Sequence, residues 1–376
     1  MGLRHREPPA RPMRYAPSAP EAVSLSEFDP SRPTRRSFLR QTVAFSALAA
    51  MRPGALFGEA AGGFGESSAA PNPANPHMLL LGDWGADHYP KQQSAVAAQM
   101  KRYVDTRQVH PQAVFLLGDN WYGNMIGGLD CPRWQNDFEQ MYPTSHFQCP
   151  FYAVLGNHDY EHRIDSKADL QLAYPKHVVT RWTMPDRWYT FTWPEKNPVI
   201  TFICLDSNLP GTKEDPFPWS FTMSKKHVEA QEDWFQQQLA KPRTTPFVAV
   251  VCHHPLFTNG VHKDNKLLIK RWEPMVRQAK VDFWITGHDH DLQHIEFAGH
   301  PTSFVISGGG GAELVDWTTD PATRGPFGSK VLGFSDLEID NGAVVLRHID
   351  VNGQELHAFR KTPDGKVTVL KPLVAA

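Results

Sequence analysis

Residues 113–120 read AVFLLGDN, and the same arrangement recurs along the chain: HMLLLGDWG at 77–85, FYAVLGNHD at 151–159, VITFICLDSN at 199–208, FVAVVCHHP at 247–255 and VDFWITGHDH at 281–290. Each is a short apolar run that ends at once in Asp, Asn or His. A run that is apolar at successive rather than alternate positions belongs to a strand covered on both faces. Between the runs lie helical patterns at 91–107, 133–142, 224–239 and 264–280. Further strands are expected at WYTFTW (188–193), TSFVISGG (302–309) and AVVLRHIDV (343–351). The order strand, helix, strand, helix predicts a mixed α/β fold with helices packed outside the sheet layers. Residues 161–188 form a long stretch of mixed polarity, suited to shaping a substrate entrance.

Loops at the carboxyl ends of strands are where α/β sheets bind ligands. Here those ends carry Asp83, Asp119, Asn157, His253, His288 and His290. Taken singly, each has a plain structural reading. Asp83 can cap the following helix, Asn157 can hold a turn, and His253 can be a hydrogen-bonded core histidine. Their joint presence at successive strand ends points to cation binding, because carboxylate, amide oxygen and imidazole suit Fe, Zn or Mn. In GHDH, His288 and His290 can reach different metals on either side of the turn, with Asp289 pointing away into solvent or a turn hydrogen bond. Tyr122, three residues after Asp119, is an uncommon ligand, since a phenol must lose a proton with a pKa near 10.

The chain has 376 residues, 41% hydrophobic and 21% charged, with a formal charge of −2, which argues against nucleic acid or an anionic membrane as the main partner. Its 18 His outnumber four Cys, so imidazole and carboxylate chemistry is favoured over thiolate. Cys131 and Cys149 flank one loop and are candidates for a disulfide, whereas Cys204 and Cys252 fall in strand-like runs and read as buried thiols. The segment TRRSFLRQTVAFSALAAMRPGA at 34–55, with Arg35 and Arg36 ahead of a modestly apolar run, resembles a twin-arginine export signal. That run is too short to span a bilayer, which takes about 20 residues, so no stable membrane anchor is expected. The predicted organisation is a disordered extension (1–33), the signal region (34–60), a linker (61–77) and one catalytic domain (78–376), exported to the periplasm or beyond by the twin-arginine machinery.

The ordered blocks GDWG, GDNWY, GNHD, VVCHHP and GHDH resemble those of the calcineurin-like metallophosphoesterases, and more narrowly the short, single-domain purple acid phosphatases. The broad family opens on Asp-x-His, its His a ligand, but here the third residue is Gly85. Purple acid phosphatases supply a tyrosine in the second block, where this chain has Tyr122. The resemblance implies a β-sandwich of two mixed sheets flanked by helices. It also implies Fe(III) held by Asp83, Tyr122 and His290, with Fe(II), Zn(II) or Mn(II) held by Asn157, His253 and His288, and Asp119 bridging them. The implied activity is phosphate monoester hydrolysis in acid by attack of a hydroxide held on the metals. His158 and His262 match two active-site histidines that bind phosphate or protonate the leaving group. Small phosphorylated substrates and inorganic phosphate are the implied ligands. A phosphodiesterase or nucleotidase of the same superfamily, or a non-catalytic phosphate-binding protein on this fold, are the alternatives. SGGGGAE (307–313) lacks the lysine of a nucleotide phosphate loop and reads as close backbone approach beside the site or as a plain flexible turn.

Overall fold

The computed structural model describes residues 69–86, 88–161, 167–211 and 222–370. The extension and export signal expected over 1–60 lie outside the described residues, as do 61–68 of the linker. The strands are β1 (His77–Leu81), β2 (Pro111–Leu116), β3 (Phe151–Ala153), β4 (Trp182–Thr183), β5 (Tyr189–Trp193), β6 (Ile200–Cys204), β7 (Phe247–Val251) and β8 (Phe283–Thr286). They continue with β9 (Leu292–Ile295), β10 (Ser303–Ser307), β11 (Pro326–Ser329), β12 (Gly333–Asp340), β13 (Ala343–Asp350), β14 (Glu355–Lys361) and β15 (Val367–Leu370). The α-helices are α1 (Pro90–Arg107), α2 (Lys167–His177), α3 (Lys225–Ala240) and α4 (Lys266–Gln278).

Among the described residues these strands form an eight-stranded sheet, ordered β15-β14-β13-β12-β1-β2-β3-β4, and a seven-stranded one, β11-β9-β10-β8-β7-β6-β5. Both are mixed. In the first, β1 to β4 run parallel and the C-terminal strands antiparallel. In the second, β6, β7, β8 and β10 are parallel, and β5, β9 and β11 are antiparallel to their neighbours.

The alternation of side chains along a strand places two cores. Met78 and Leu80 of β1 and Phe115 of β2 pack with Phe202, Val251, Phe283 and Ile285 of the other sheet. Leu79 and Leu81 turn the other way, to Val96 and Met100 of α1. On the second sheet, Val250 and Trp284 face Phe235 of α3 and Trp272 and Val276 of α4. Leu268, Trp272 and Val276 recur every four residues, so one stripe of α4 is buried. Ser224 and Asn265 cap α3 and α4, their side-chain oxygens accepting from His227 N (3.2 Å) and Leu268 N (3.0 Å). The fold expected from the sequence, two mixed sheets with helices outside, is the fold observed.

Three local expectations change. The helix expected over 133–142 is a π-helical turn, Trp134–Glu139. The stretch at 161–188 contains α2, which buries Lys167, Ala168, Gln171 and Tyr174; with Lys and Gln at its buried positions it has no apolar stripe to read. Cys131 and Cys149 do not pair: both are buried free thiols in the aromatic cluster around Trp134, Phe138 and Phe147, and burial pushes the Cys149 thiol up to about 12.

Candidate metal centre

The loops after β1, β2 and β3 of one sheet meet those after β7 and β8 of the other. Beyond the end of each strand comes a Gly or Cys and then a polar side chain: Gly82-Asp83, Gly118-Asp119, Gly156-Asn157, Cys252-His253 and Gly287-His288. Asp83 (φ 59°), Asp119 (φ 49°) and His288 (φ 73°) lie in the left-handed region. Non-glycine residues there cost about 1–3 kcal/mol and gather at functional sites.

The side chains converge. Tyr122 OH is 3.3 Å from Asp83 Oδ1 and 3.1 Å from His290 Nε2, and His290 Nε2 is 3.5 Å from Asp83 Oδ1. His253 Nε2 lies 3.3 Å from Asp119 Oδ2, 3.8 Å from Asp83 Oδ1 and 3.2 Å from His288 Nδ1. Donor atoms of Asp83, Asp119 and His290 all fall within 4.8 Å of one another. The outward ring nitrogens are occupied: His253 Nδ1 meets Leu117 O (2.9 Å) and His290 Nδ1 meets Glu313 O (2.5 Å). A carbonyl partner fixes the tautomer with the proton outward and turns the Nε2 lone pair toward the centre, the arrangement that metal-ligating histidines use.

Charge and burial fit cations. Burial would raise the Asp119 carboxyl, but His253 and His158 outweigh it and hold the group well below the carboxylate range. Burial opposes a charged His253, yet Asp119 and Asp83 lift it to about 9. His290 likewise rises to about 9, against burial, through Asp83. His288 moves the other way, pushed well down by burial and by His262, His254, His253 and His290. Protons on His253 and His290 thus balance buried carboxylates, and cations would displace them. Burial and the Asp119 and Asp83 charges push the Tyr122 phenol far up, so only a cation makes its anion accessible. The Asn157 side-chain oxygen is buried without a hydrogen-bond partner. A buried acceptor left open at a convergence of ligand-type side chains suits coordination.

Gly85 explains the placement of Tyr122. A Cβ at residue 85 would lie 1.7 Å from Asn120 O, so any side chain there would displace the second loop. With Gly85, Tyr122 N donates to Gly85 O at 3.0 Å, and the phenol reaches in. Arg133 clamps both loops, donating to Tyr122 O (2.6 Å) and Gly85 O (2.8 Å).

His158 and His262 stand at the rims. The His158 ring lies 4.1 Å from the Tyr122 ring, with Nε2 3.9 Å from Asp119 Oδ2; the His262 ring lies 4.1 Å from that of His288. Asp289 departs from expectation. It is fully buried, and it accepts from Thr258 OH (2.5 Å) and meets His262 Nδ1 (2.8 Å), because the loop after β7 folds over it. The Ser307–Glu313 segment packs its backbone on the first loop, Gly310 N donating to Gly82 O and Ala312 N to Asp83 O, both at 3.0 Å. Trp84 Nε1 donates to Asn120 Oδ1 at 2.9 Å.

The sequence reading leaves Asp159 unassigned. Its buried carboxylate accepts from Asn120 N (3.1 Å), Trp121 N (3.0 Å), Gly156 N (2.9 Å) and Gln171 Nε2 (2.9 Å). It thereby ties the second and third loops together. Its position after Asn157-His158 gives no signal of that role.

The chain belongs to the calcineurin-like phosphoesterase family, whose profile matches residues 76–292. Within it, the chain is 29% identical to purple acid phosphatase 4 of Arabidopsis thaliana over 301 residues, 77% of this chain and 85% of that protein. It is 26% identical to tartrate-resistant acid phosphatase type 5 of Homo sapiens over 300 residues, 75% of this chain and 90% of that protein. The fold is like that of the purple acid phosphatase PPD1 from yellow lupin seeds (TM-score 0.58, 16% identity, 78% of this chain and 55% of that one). It is also like that of GAP50, the anchor in the inner membrane complex of Plasmodium (TM-score 0.63, 23% identity, 80% and 90%). Family, relatives and the Asp/His cluster together make the protein a metal-dependent phosphatase, and its family implies a binuclear centre.

Proposed function

We propose that the protein is an exported acid phosphatase that hydrolyses phosphate monoesters, with Asp83, Tyr122 and His290 holding Fe(III), and with Asn157, His253 and His288 holding Fe(II), Zn(II) or Mn(II). Asp119, with Oδ2 3.3 Å from His253 Nε2 and a carboxylate oxygen within 4.8 Å of the Asp83 and His290 donors, would be the ligand that the two groups share. The observation that carries this reading is the Tyr122 hydroxyl, set against both Asp83 and His290 by a loop whose backbone at Asn120 and Trp121 fills the space that Gly85 leaves. A phenolate is a hard anionic donor and favours a trivalent ion, whereas the second group is neutral apart from the bridge and suits a divalent one. Paired cations of this kind clamp a phosphate, offset its charge and acidify water. The protein's own part is to orient the ester and move a proton. His158 and His262 flank the cluster, each with Nδ1 against a carboxylate, and serve to bind phosphate oxygen or protonate the departing alkoxide. Export rests on the Arg35–Arg36 segment, and recovery of the chain from the periplasmic or culture fraction tests it.

The deciding experiment is metal analysis with a visible spectrum and turnover of aryl phosphate mono- and diesters. Phenolate coordinated to Fe(III) absorbs visible light, so the oxidised protein is expected to be pink to purple. Tyr122→Phe should abolish the band while the fold persists. A colourless iron-loaded protein, or a Phe variant that keeps the band, overturns the tyrosine's role. Faster turnover of the diester points to the phosphodiesterase reading instead.

A further inference from the structure

Behind His158 lies a closed chain of charged groups that the proposed reaction leaves without a role. Lys167, at the start of α2, is 2% exposed. Its ammonium donates to Trp121 O (2.7 Å) and Gly123 O (2.6 Å), the carbonyls on either side of Tyr122, and to Glu161 Oε2 (3.1 Å). The other oxygen of Glu161, Oε1, pairs with His158 Nδ1. The His158 ring then lies over the Tyr122 ring at 33° and closes the circuit.

We propose that Glu161, seated by Lys167, is a positioning residue that fixes the His158 ring with Nε2 turned to the reacting phosphate, an inference that rests on the monoester-hydrolase reading. The His158 side chain is 31% exposed, so burial alone does not hold its ring; unheld, the ring would turn among several orientations at its terminal torsion. With Nδ1 on Glu161, one edge is fixed, and the opposite nitrogen is the one 3.9 Å from Asp119 Oδ2. Glu161 cannot swing away, since its two oxygens hold different partners. Lys167 cannot either, being pinned by two carbonyls. Because those carbonyls flank Tyr122, the same anchor sets the spacing between His158 and the tyrosine loop. His262 on the opposite rim is held in the same manner by Asp289. A merely structural role for Glu161 would be to neutralise the buried Lys167, and that role would not depend on His158.

The test is a double-mutant cycle on the full metal-loaded protein, with metal content measured for every variant. Glu161→Ala should lower kcat on phenyl phosphate by about 10-fold or more, the scale on which outer partners of site residues act. Glu161→Gln, which keeps an acceptor oxygen, should recover part of the loss. Inorganic phosphate binding, read by calorimetry, should weaken in the same order. In a His158→Asn background, Glu161→Ala should change kcat and phosphate affinity by less than about twofold, because residues acting through one another are not additive. Equal losses in both backgrounds, or none in either, overturn the positioning role while leaving the monoester reading standing. A wild-type protein that neither binds phosphate nor turns over monoesters overturns that reading, and this role with it.

Discussion

The side-chain oxygen of Asn157 is buried, with the residue 8% exposed, and accepts no hydrogen bond. Leaving a buried acceptor open costs about 1–3 kcal/mol, whereas a nonpolar group of the same shape carries no such penalty. A position kept polar at that cost is explained if a cation is the missing partner. Asn157→Leu is nearly isosteric, and the Asn157 backbone oxygen still accepts from Tyr160 N. In chelator-treated protein the substitution is therefore expected to be neutral or mildly stabilising by calorimetry. The rise in Tm on adding divalent metal should shrink, since ligand-linked stabilisation follows affinity. A variant destabilised by more than about 2 kcal/mol without metal would mark Asn157 as a structural residue.

At the scale of the elements, the centre is made by loops that approach too closely for side chains. The Cβ of an alanine at 156 would fall 2.2 Å from Asp119 N, as one at 85 would meet Asn120 O at 1.7 Å. Gly85→Ala should therefore shift the Asp119–Tyr122 segment bodily and strip the protein of metal. Gly365→Ala, with no atom within 4 Å, should lose only about 1–2 kcal/mol for its positive φ. Comparable metal content in the two variants would sink the account of the Tyr122 loop. These strand-loop units were legible in the sequence because doubly covered strands read as unbroken apolar runs that end at once in Asp, Asn or His. The helices α1, α3 and α4 were legible as well: the expected spans differ from the observed ones by a residue or two. The supports were not. Asp159 acts on Asn120, 39 positions away, and Lys167 on Trp121, 46 positions away; such contacts leave no local period. Asp289 read as solvated or turn-bonded because only the folded loop after β7 shows what covers it.

At the scale of the whole molecule, the two sheets are joined by buried histidines as well as by apolar packing. His294 of β9 meets His357 of β14 across the sandwich, Nδ1 to Nε2 at 3.0 Å, and its Nε2 meets Glu296 Oε1 at 2.8 Å. Phe359 stacks on His294, and Phe327 of β11 stacks on His348 and His357. Burial lowers His294 despite Glu296, with Lys361 adding to the effect; burial and His294 lower His357 far, and lower His348 to about 3. The sign follows. A histidine whose folded pKa lies below its unfolded value near 6.5 binds fewer protons when folded, so stability is lost as pH falls below about 6.5. For His348 the loss continues toward about 3, at about 1.4 kcal/mol per pH unit for each such group. His77 runs opposite: burial opposes its charge, but Asp336 raises it, so its contribution is present in acid and fades as pH rises. The sheet junction therefore carries a built-in acid limit on stability. His348→Gln keeps a polar atom for Ser335, whose hydroxyl lies 2.8 Å from His348 Nδ1, and removes the titration. Its stability, from denaturant unfolding in the metal-loaded state between pH 6 and 4, should fall less steeply than wild type by about 1.4 kcal/mol per pH unit. Parallel curves would mean that His348 takes up its proton in the folded state as it does in the unfolded one, or that the cluster opens locally before the fold does, and the acid limit would then lie elsewhere in the molecule.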